Sequence, residues 1–442
     1  MAASSVVTVH SAAKPRGQIL ALAHYINSKS AGLDVADRLR QLPGDRRHNW
    51  TYNWILCFSD NARDLVRVNA LMHIPDGYLS PSTCAALYAS AAPFWYVALR
   101  KTRKVLLTRL VPLISVFAAF SFVVMMFNIP IPGGTTAHAL GVAIASIVLG
   151  PWASMLALST ALFIQAVFFG DGGITTLGAN CFNMAIVGSL IAYLAYRAIA
   201  GRAAITSSRR VVAAALSGYL AINGAALCAA VELGIQPHFF RSATGAPLYA
   251  PYPLSIALPA IMIGHLTFAG LAELVVSGGV VAYLQRANPS LLRFTAPGVP
   301  LPQEEAQQRA RQSGWQAARP LWTAVGLLLV LTPLGLLAAG KAWGEWTVHD
   351  FSSPAARQEI AKVSQNVALP VQVPSGFERW STIWTAPFPN YSPSFVRKPA
   401  FGYLLSAMFG IGIIILLSIL IGWLAAKARR GPAGARAHTE ET

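Results

Sequence analysis

The sequence predicts an all-α, polytopic membrane protein of about nine transmembrane helices, with Met72 outside the membrane and the C-terminus in the cytoplasm. Hydrophobic residues make up 55% of the 442 residues and charged residues 12%, and the mean hydropathy is +0.50. A soluble globular chain carries about 25% charged residues, so the composition excludes that class. The net charge of +17 does not indicate a nucleic-acid partner, because the basic residues form short clusters between apolar runs.

Nine apolar runs are interpreted as membrane spans, each of which needs about 20 apolar residues. The third run is short, but Gly150-Pro151-Trp152 separates it from the fourth. A tight turn between two helices is more economical there than one helix of roughly thirty residues. The predicted spans are 82–99, 110–127, 138–149, 153–169, 182–200, 211–231, 255–284, 321–339 and 400–425.

The positive charge predicts the orientation, since Lys and Arg accumulate in cytoplasmic loops. Basic clusters follow the first, fifth, seventh and ninth predicted spans. All of these spans are odd-numbered, so they end on the same face of the membrane. One orientation therefore puts every cluster in the cytoplasm. The clusters are Lys101, Arg103, Lys104 and Arg109; Arg197, Arg202, Arg209 and Arg210; Arg286, Arg293, Arg309, Arg311 and Arg319; and Lys427, Arg429 and Arg430.

The remaining segments complete the predicted domain organisation. The first 71 residues hold no apolar run long enough for a signal peptide or a span, so we expect them to be a mis-assigned start or a disordered extension. The predicted divisions are the extension 1–71, a seven-helix membrane domain 72–290, a cytoplasmic linker 291–320, a two-helix block 321–425 with an outer segment 340–399, and a disordered tail 426–442.

The pair Met72-His73 is the first candidate for chemistry. If the chain begins at Met72, its free amine, the backbone amide nitrogen of His73 and the near imidazole nitrogen of His73 form fused chelate rings around one metal ion. A planar nitrogen set suits Ni(II) or Cu(II), and Co(II) less well. The alternative is an ordinary loop pair. With residues 1–71 attached, the Met72 nitrogen is an amide and this chelate cannot form.

Two charge-poor, glycine-rich loops are predicted on the outer face, at 128–138 and 171–180. The first ends in His138, which is expected at the outer entrance of the third helix, on the same side of the membrane as His73. His138 then offers a fourth nitrogen to the same metal ion. The alternative is a loop or helix-capping histidine that bonds the backbone.

Four motifs in order carry a resemblance to a known family. They are Met-His-Ile-Pro-Asp-Gly-Tyr-Leu at 72–79, Pro-Ile-Pro-Gly-Gly-Thr-Thr-Ala-His at 130–138, Leu-Gly-Pro-Trp at 149–152, and the segment 171–184 that begins Asp-Gly-Gly-Ile-Thr-Thr-Leu-Gly. Residues 72–290 resemble the CbiM/NikM family, the metal-binding membrane (S) subunits of energy-coupling-factor nickel and cobalt importers. The resemblance implies that Met72, His73 and His138 bind the metal.

The block 321–425 resembles, more loosely, the small accessory subunit of the same importers, fused here into one chain. Other polar residues are candidates around the metal ligands. Asp76 is expected either to accept a hydrogen bond from the His73 imidazole N–H or to serve ordinary Asp-Gly turn chemistry. His265 and Glu273 share one face of the seventh span, as a structural pair or as part of an ion path. Residues expected to close the outer pocket, or only to cap helices and turns, are Asp171, Thr175, Asn180 and Asn183.

The sequence contains no GxxxxGK[ST] nucleotide-binding motif, so energy for transport has to come from another chain or an ion gradient. The resemblance implies capture of Ni(II) or Co(II) as the transported substrate, in service of cobalamin biosynthesis or nickel enzymes. It implies ATPase subunits, a coupling transmembrane subunit and membrane lipid as partners, with no catalytic residue and no organic cofactor. The alternatives are a membrane metalloenzyme and a metal sensor that does not transport.

Overall fold

The computed structural model describes residues 73–106, 111–131, 135–299, 314–338, 345–363 and 370–429. The predicted extension 1–71, Met72 and the predicted tail from 430 onward lie outside the described residues. One β-hairpin joins Ile129–Ile131 (β1) to Thr135–Ala137 (β2). The helices are α1 (Pro81–Leu106), α2 (Val111–Met125), α3 (Val142–Leu149), α4 (Pro151–Phe169), α5 (Leu177–Ala200), α6 (Ser208–Phe239), α7 (Leu254–Ala287), α8 (Gly314–Leu331), α9 (Val348–Ser352), α10 (Pro354–Val363), α11 (Ser375–Trp380) and α12 (Pro399–Arg429).

The chain is a multi-pass membrane protein. Five helices in the described residues are long and apolar enough to cross a bilayer, namely α4, α5, α6, α7 and the Pro399–Ile421 part of α12. Two shorter apolar helices are α2 and Leu321–Leu337. Every predicted apolar run overlaps one of the helices α1–α8 or α12. The count of nine crossings and the two termini stay predictions.

Helix α3 begins later than the sequence pattern predicts. The expected span 138–149 contains only eight helical residues, Val142–Leu149, or about 12 Å of helix against roughly 30 Å of bilayer hydrocarbon. All eight are buried, and α3 packs against α4, α5 and α6. Pro151 opens α4 directly after Gly150, so the predicted break between the third and fourth runs is present.

A carboxylate from α7 holds the entrance of α3. Glu273 Oε2 accepts hydrogen bonds from the backbone N–H groups of Leu140 at 2.7 Å and Gly141 at 3.0 Å, and Glu273 Oε1 accepts from the Ser277 hydroxyl at 3.1 Å. His265 bonds elsewhere, through Nδ1 to the Ile261 carbonyl at 2.9 Å. Glu273 and His265 therefore have different bonding partners, and Glu273 takes the role of a structural anchor.

The predicted outer segment is folded where the structure describes it. It forms α9, α10, α11 and a 3-10 turn at Pro389–Tyr391. It packs on the segment that follows His73: the Tyr78 hydroxyl donates to the Trp346 carbonyl at 2.6 Å, and Tyr78 shares a buried apolar cluster with Phe351 and Phe377. The C-terminal part of the chain thus lies against the N-terminal motif.

Candidate metal centre

His73 and His138 meet in a buried cavity. Their ring centroids are 5.2 Å apart at an interplanar angle of 69°, and the two residues are 3% and 6% exposed. They line a cavity of about 120 Å³ together with Asn180, Asn183 and His265. That space is large enough for one partly hydrated metal ion. The structure therefore brings together the two imidazoles that the sequence singled out.

The β-hairpin delivers His138 to this cavity. Ile129 pairs with Ala137, so His138 comes directly after the last residue of β2. Its Nδ1 lies 2.9 Å from the Ala139 carbonyl oxygen. A carbonyl only accepts, so this contact places the ring proton on Nδ1 and leaves the Nε2 lone pair for a metal ion. The histidine stands four residues before α3 begins, and not at the helix entrance itself.

The surroundings of His138 keep its imidazole neutral. Burial, and next the neighbouring His73, lower the pKa of His138 to about 3, although the charge of Asp171 opposes the shift. A histidine has to be unprotonated to bind a metal ion. His138 is therefore in the ligating form at neutral pH without any proton leaving it.

Asn180 fixes the backbone beside His73. The amide side chain at the start of α5 accepts from the Ile74 N–H at 3.0 Å and donates to the Ile74 carbonyl at 3.1 Å. The same carbonyl accepts from the Gly173 N–H at 3.0 Å and the Thr176 hydroxyl at 2.5 Å. The residue that follows His73 is thus locked to the loop between α4 and α5.

Asp76 tightens this junction and does not bond His73 in the structure. Its carboxylate accepts from the Ile174 N–H at 3.1 Å, the Thr175 N–H at 2.7 Å and the Thr175 hydroxyl. Asp76 therefore binds the backbone of a remote loop, which is neither of the two roles that the sequence left open. Thr175 serves as its partner and does not line the cavity.

Asp171 is the carboxylate that lies beside His73. Its Oδ1 is 2.9 Å from His73 Nδ1, but it lies off the direction that an N–H on that nitrogen would take, so the contact is electrostatic and not a hydrogen bond. No described group hydrogen-bonds either ring nitrogen of His73. Both nitrogens are buried, and a metal ion is a suitable partner for such a ring.

Asn183 provides a polar group deeper in the cavity. Its Nδ2 donates to Glu232 Oε2 on α6 at 2.8 Å, while its buried Oδ1 has no hydrogen-bond partner among the described residues. Asn183 lies on a π-helical turn of α5, and His265 lies on a π-helical turn of α7. Such turns are frequent at functional sites, because they reorient side chains that a regular helix would turn away.

Side chains alone do not complete a metal site in the described part of the chain. No group of three or more His, Cys, Asp or Glu side chains is spaced to hold a metal ion there. Two imidazoles that share a cavity fit a ligand set that takes its other donors from backbone nitrogen. Met72, which would supply the amine, lies outside the described residues.

Two residues at the site were missed by the sequence reasoning. The Tyr391 hydroxyl donates to Asp171 Oδ2 at 2.6 Å and accepts from Gln165 Nε2 at 2.9 Å. Burial, followed by the charge of Asp171, raises the pKa of Tyr391 well above its usual value, so the hydroxyl keeps its proton. Gln165 is a polar residue in an apolar helix and was a usable signal. Tyr391 is 220 residues from Asp171 in sequence, and no local pattern identifies it.

Comparisons with known proteins agree with this organisation. Residues 73–291 match the family described as the cobalt uptake substrate-specific transmembrane region, CbiM, and residues 319–427 match the PDGLE domain. The chain is 53% identical over 359 residues to the fused nickel transport protein NikMN of Rhodobacter capsulatus, with 81% of this chain and 99% of that protein covered.

The probable fused nickel transport protein LarMN of Lactiplantibacillus plantarum is 39% identical over 351 residues, with 78% of this chain and 96% of that protein covered. A crystal structure of a truncated transition metal transporter is 50% identical, covers 48% of this chain and 98% of its own, and superimposes with a TM-score of 0.45. The match over nearly the whole of two fused relatives, with both family regions in order, shows that this chain belongs to the CbiM family of membrane transport proteins, joined to a PDGLE domain.

Proposed function

We propose that this chain captures Ni(II) or Co(II) at the outer face of the bacterial plasma membrane, as the substrate-binding subunit of an ATP-driven importer. The observation that carries the proposal is the convergence of His73 and His138, 5.2 Å apart, in one buried cavity. The names of the relatives support it, since two are fused nickel transport proteins and a third is the cobalt transport protein CbiM of Geobacter sulfurreducens.

The proposed ligands are the amine of Met72, the amide nitrogen and Nδ1 of His73, and Nε2 of His138. Only two side chains are required, which agrees with the lack of a three-residue side-chain cluster in the described chain. The set requires a free amine, so we propose that the native polypeptide begins at Met72. The family match that starts at residue 73 supports this start.

The identity of the ion follows from more than the donor set. For a given set of nitrogen donors the affinity order is Co(II) below Ni(II) below Cu(II), so selection against copper has to come from ion supply or from site geometry. A planar set of these donors would favour nickel over cobalt. We propose nickel as the main substrate and cobalt as a second, for nickel enzymes or cobalamin biosynthesis.

Transport needs partners that this chain does not contain. The sequence has no nucleotide-binding motif of the GxxxxGK[ST] type, and the relatives are named as transport proteins and not as enzymes. We propose that a separate pair of ATPase subunits and a coupling transmembrane subunit drive inward release. The loops that carry the basic clusters are the proposed contact surface.

Nickel binding to variants of the purified full chain tests the proposal, with the chain started at Met72. We expect H73A and H138A each to lower nickel affinity by more than about 100-fold. Loss of a residue that only hydrogen-bonds a metal ligand lowers metal affinity by about 10–100-fold, and loss of the ligand itself should cost more. H238A is the control, since His238 is exposed and away from the cavity. Unchanged nickel affinity in H138A would remove the proposed site. ATP-dependent uptake of labelled nickel, with and without the ATPase subunits, separates transport from sensing.

A further inference from the structure

The PDGLE region reaches the carboxylate that lies beside His73. Tyr391, within the 319–427 match, donates from its hydroxyl to Asp171 Oδ2 at 2.6 Å. The other oxygen of that carboxylate, Oδ1, lies 2.9 Å from His73 Nδ1. One carboxylate therefore connects the C-terminal region to the candidate ligand.

The direction of the Tyr391 proton is determined by a third residue. Gln165 Nε2 donates to the Tyr391 oxygen at 2.9 Å, which occupies a lone pair of the hydroxyl. The hydroxyl then directs its single proton to Asp171, because a carboxylate accepts and an amide N–H does not. A hydrogen bond to an ionised carboxylate is about twice as strong as one between neutral groups.

Tyr391 is held rigidly by its surroundings. Its ring stacks on Phe169 with centroids 4.7 Å apart and an interplanar angle of 21°, and the residue is 2% exposed. The Ser406 hydroxyl donates to the Tyr391 carbonyl at 2.9 Å. Its backbone φ is +58°, and that of Asn390 is +55°, in the left-handed region that residues with a side chain adopt at a cost. The packing around Tyr391 outweighs this cost, so the surrounding residues fix the position of its hydroxyl.

We propose that Tyr391 is a positioning residue of the metal centre, which holds Asp171 beside His73 and so makes metal binding depend on docking of the PDGLE region. The inference rests on the proposed function, because it takes His73 as a metal ligand. The coupling free energy between two binding events is the same in both directions. Metal binding therefore tightens the docking of the segment around Tyr391 in turn. The PDGLE region is thereby part of the binding site and not only an attachment.

A matched pair of variants tests this. Tyr403 is also 2% exposed, its ring lies 5.4 Å from that of Tyr391, and its hydroxyl donates to the Met126 carbonyl at 2.8 Å and not to Asp171. Y391F and Y403F each remove one buried hydroxyl from the same cluster. We expect Y391F to weaken nickel binding by about 10-fold, the lower end of the range for losing an outer-shell hydrogen bond. The reason is that Asp171 lies beside Nδ1 of His73, the nitrogen that we propose for the ion, and attracts the ion through its charge. We expect Y403F to leave nickel binding unchanged. Equal losses in both variants would reduce Tyr391 to a packing role and overturn the proposal.

The visible absorption spectrum of bound Ni(II) reports the ligand field of the ion. A loss of fold stability alone does not shift this spectrum. We expect a shifted spectrum for nickel-loaded Y391F and the parent spectrum for Y403F. An unshifted spectrum and unchanged affinity in Y391F, while H138A loses nickel affinity as expected, would overturn this inference alone. Parent-level nickel affinity in H138A would overturn the proposed function.

Amide hydrogen exchange on the unmutated chain that begins at Met72 provides a test that needs no substituted variant to fold. We expect nickel to slow exchange in residues 386–392, the segment that carries Tyr391. Exchange reports the free energy of local opening, so reciprocal coupling is read directly. No protection of 386–392 would contradict the coupling.

Discussion

Glu273 on α7 accepts a hydrogen bond from the backbone N–H of Gly141 at 3.0 Å, three residues after His138. Gly141 has a φ of +68°, which a residue with a side chain adopts only at a cost, and it turns the chain into α3. A buried carboxylate from one helix thus sets the position of a candidate metal ligand on another segment. Four predictions follow from this and related contacts.

Replacement of Glu273 is expected to loosen the His138 segment. E273A leaves the amides of Leu140 and Gly141 buried without an acceptor, which costs about 1–3 kcal/mol of unfolding free energy. We expect weaker nickel binding as well. E273Q keeps one oxygen acceptor, so we expect it to lose less unfolding free energy and less nickel affinity than E273A. Thermal unfolding and nickel titration of the solubilised protein measure the two effects, and an E273A protein that matches the parent would contradict the anchor role.

Asp76 and Asp350 allow a similar comparison near the candidate site. Asp76 binds the backbone of Thr175 at 2.7 Å, while Asp350 completes a capping box with Thr347 at the start of α9. D76A and D350A each lose such contacts, at about 0.5–3 kcal/mol of stability. We expect only D76A to weaken nickel binding, because only Asp76 ties the His73 segment to the loop that carries Asp171. Equal nickel affinities in the two variants would count against this tie.

Gly77 and Gly245 separate backbone strain from packing. Both have positive φ, +87° and +82°, but an added Cβ at Gly77 would lie 2.7 Å from the Phe377 carbonyl oxygen, while nothing lies within 4 Å at Gly245. We expect G245A to cost about 1 kcal/mol of strain. G77A is expected to cost more and to displace α11 from the His73 segment. Denaturant unfolding gives the loss of unfolding free energy in each variant. A loss in G77A no greater than that in G245A would contradict the packing constraint at Gly77.

Nickel is expected to stabilise the chain only when the Met72 amine is free. A ligand at 100 times its Kd raises the unfolding free energy by about 2.7 kcal/mol. We expect this gain for a chain that begins at Met72, and none for the 442-residue chain, in which that nitrogen is an amide. Thermal unfolding with and without nickel measures it, and N-terminal sequencing of the native protein identifies the start. An equal gain in the longer chain would show that the amine is not a ligand.

Much of the site was accessible to local patterns. His73 and His138 stand at motif ends, and Asp171, Asn180 and Asn183 lie in one polar, glycine-rich stretch at the start of an apolar helix. Polar residues are costly in lipid and are therefore rare in apolar helices, so those that do occur there can be identified from the sequence. The start of α3 was expected too early, because the apolar run includes Ala139 and Leu140. The Leu140 amide bonds Glu273 and the Ala139 carbonyl bonds His138, and neither group takes part in the helix.

The sequence by itself determined the membrane class, the places of the apolar helices and the two histidines, since each depends on hydropathy and on residue types close together in the chain. Only the tertiary structure decided which carboxylate lies beside His73, that Glu273 anchors α3, and that Tyr391 reaches Asp171 from 220 residues away. The physical reason is that a hydrogen bond depends on distance and direction in space. Such contacts between remote segments leave no periodic signal in a single sequence.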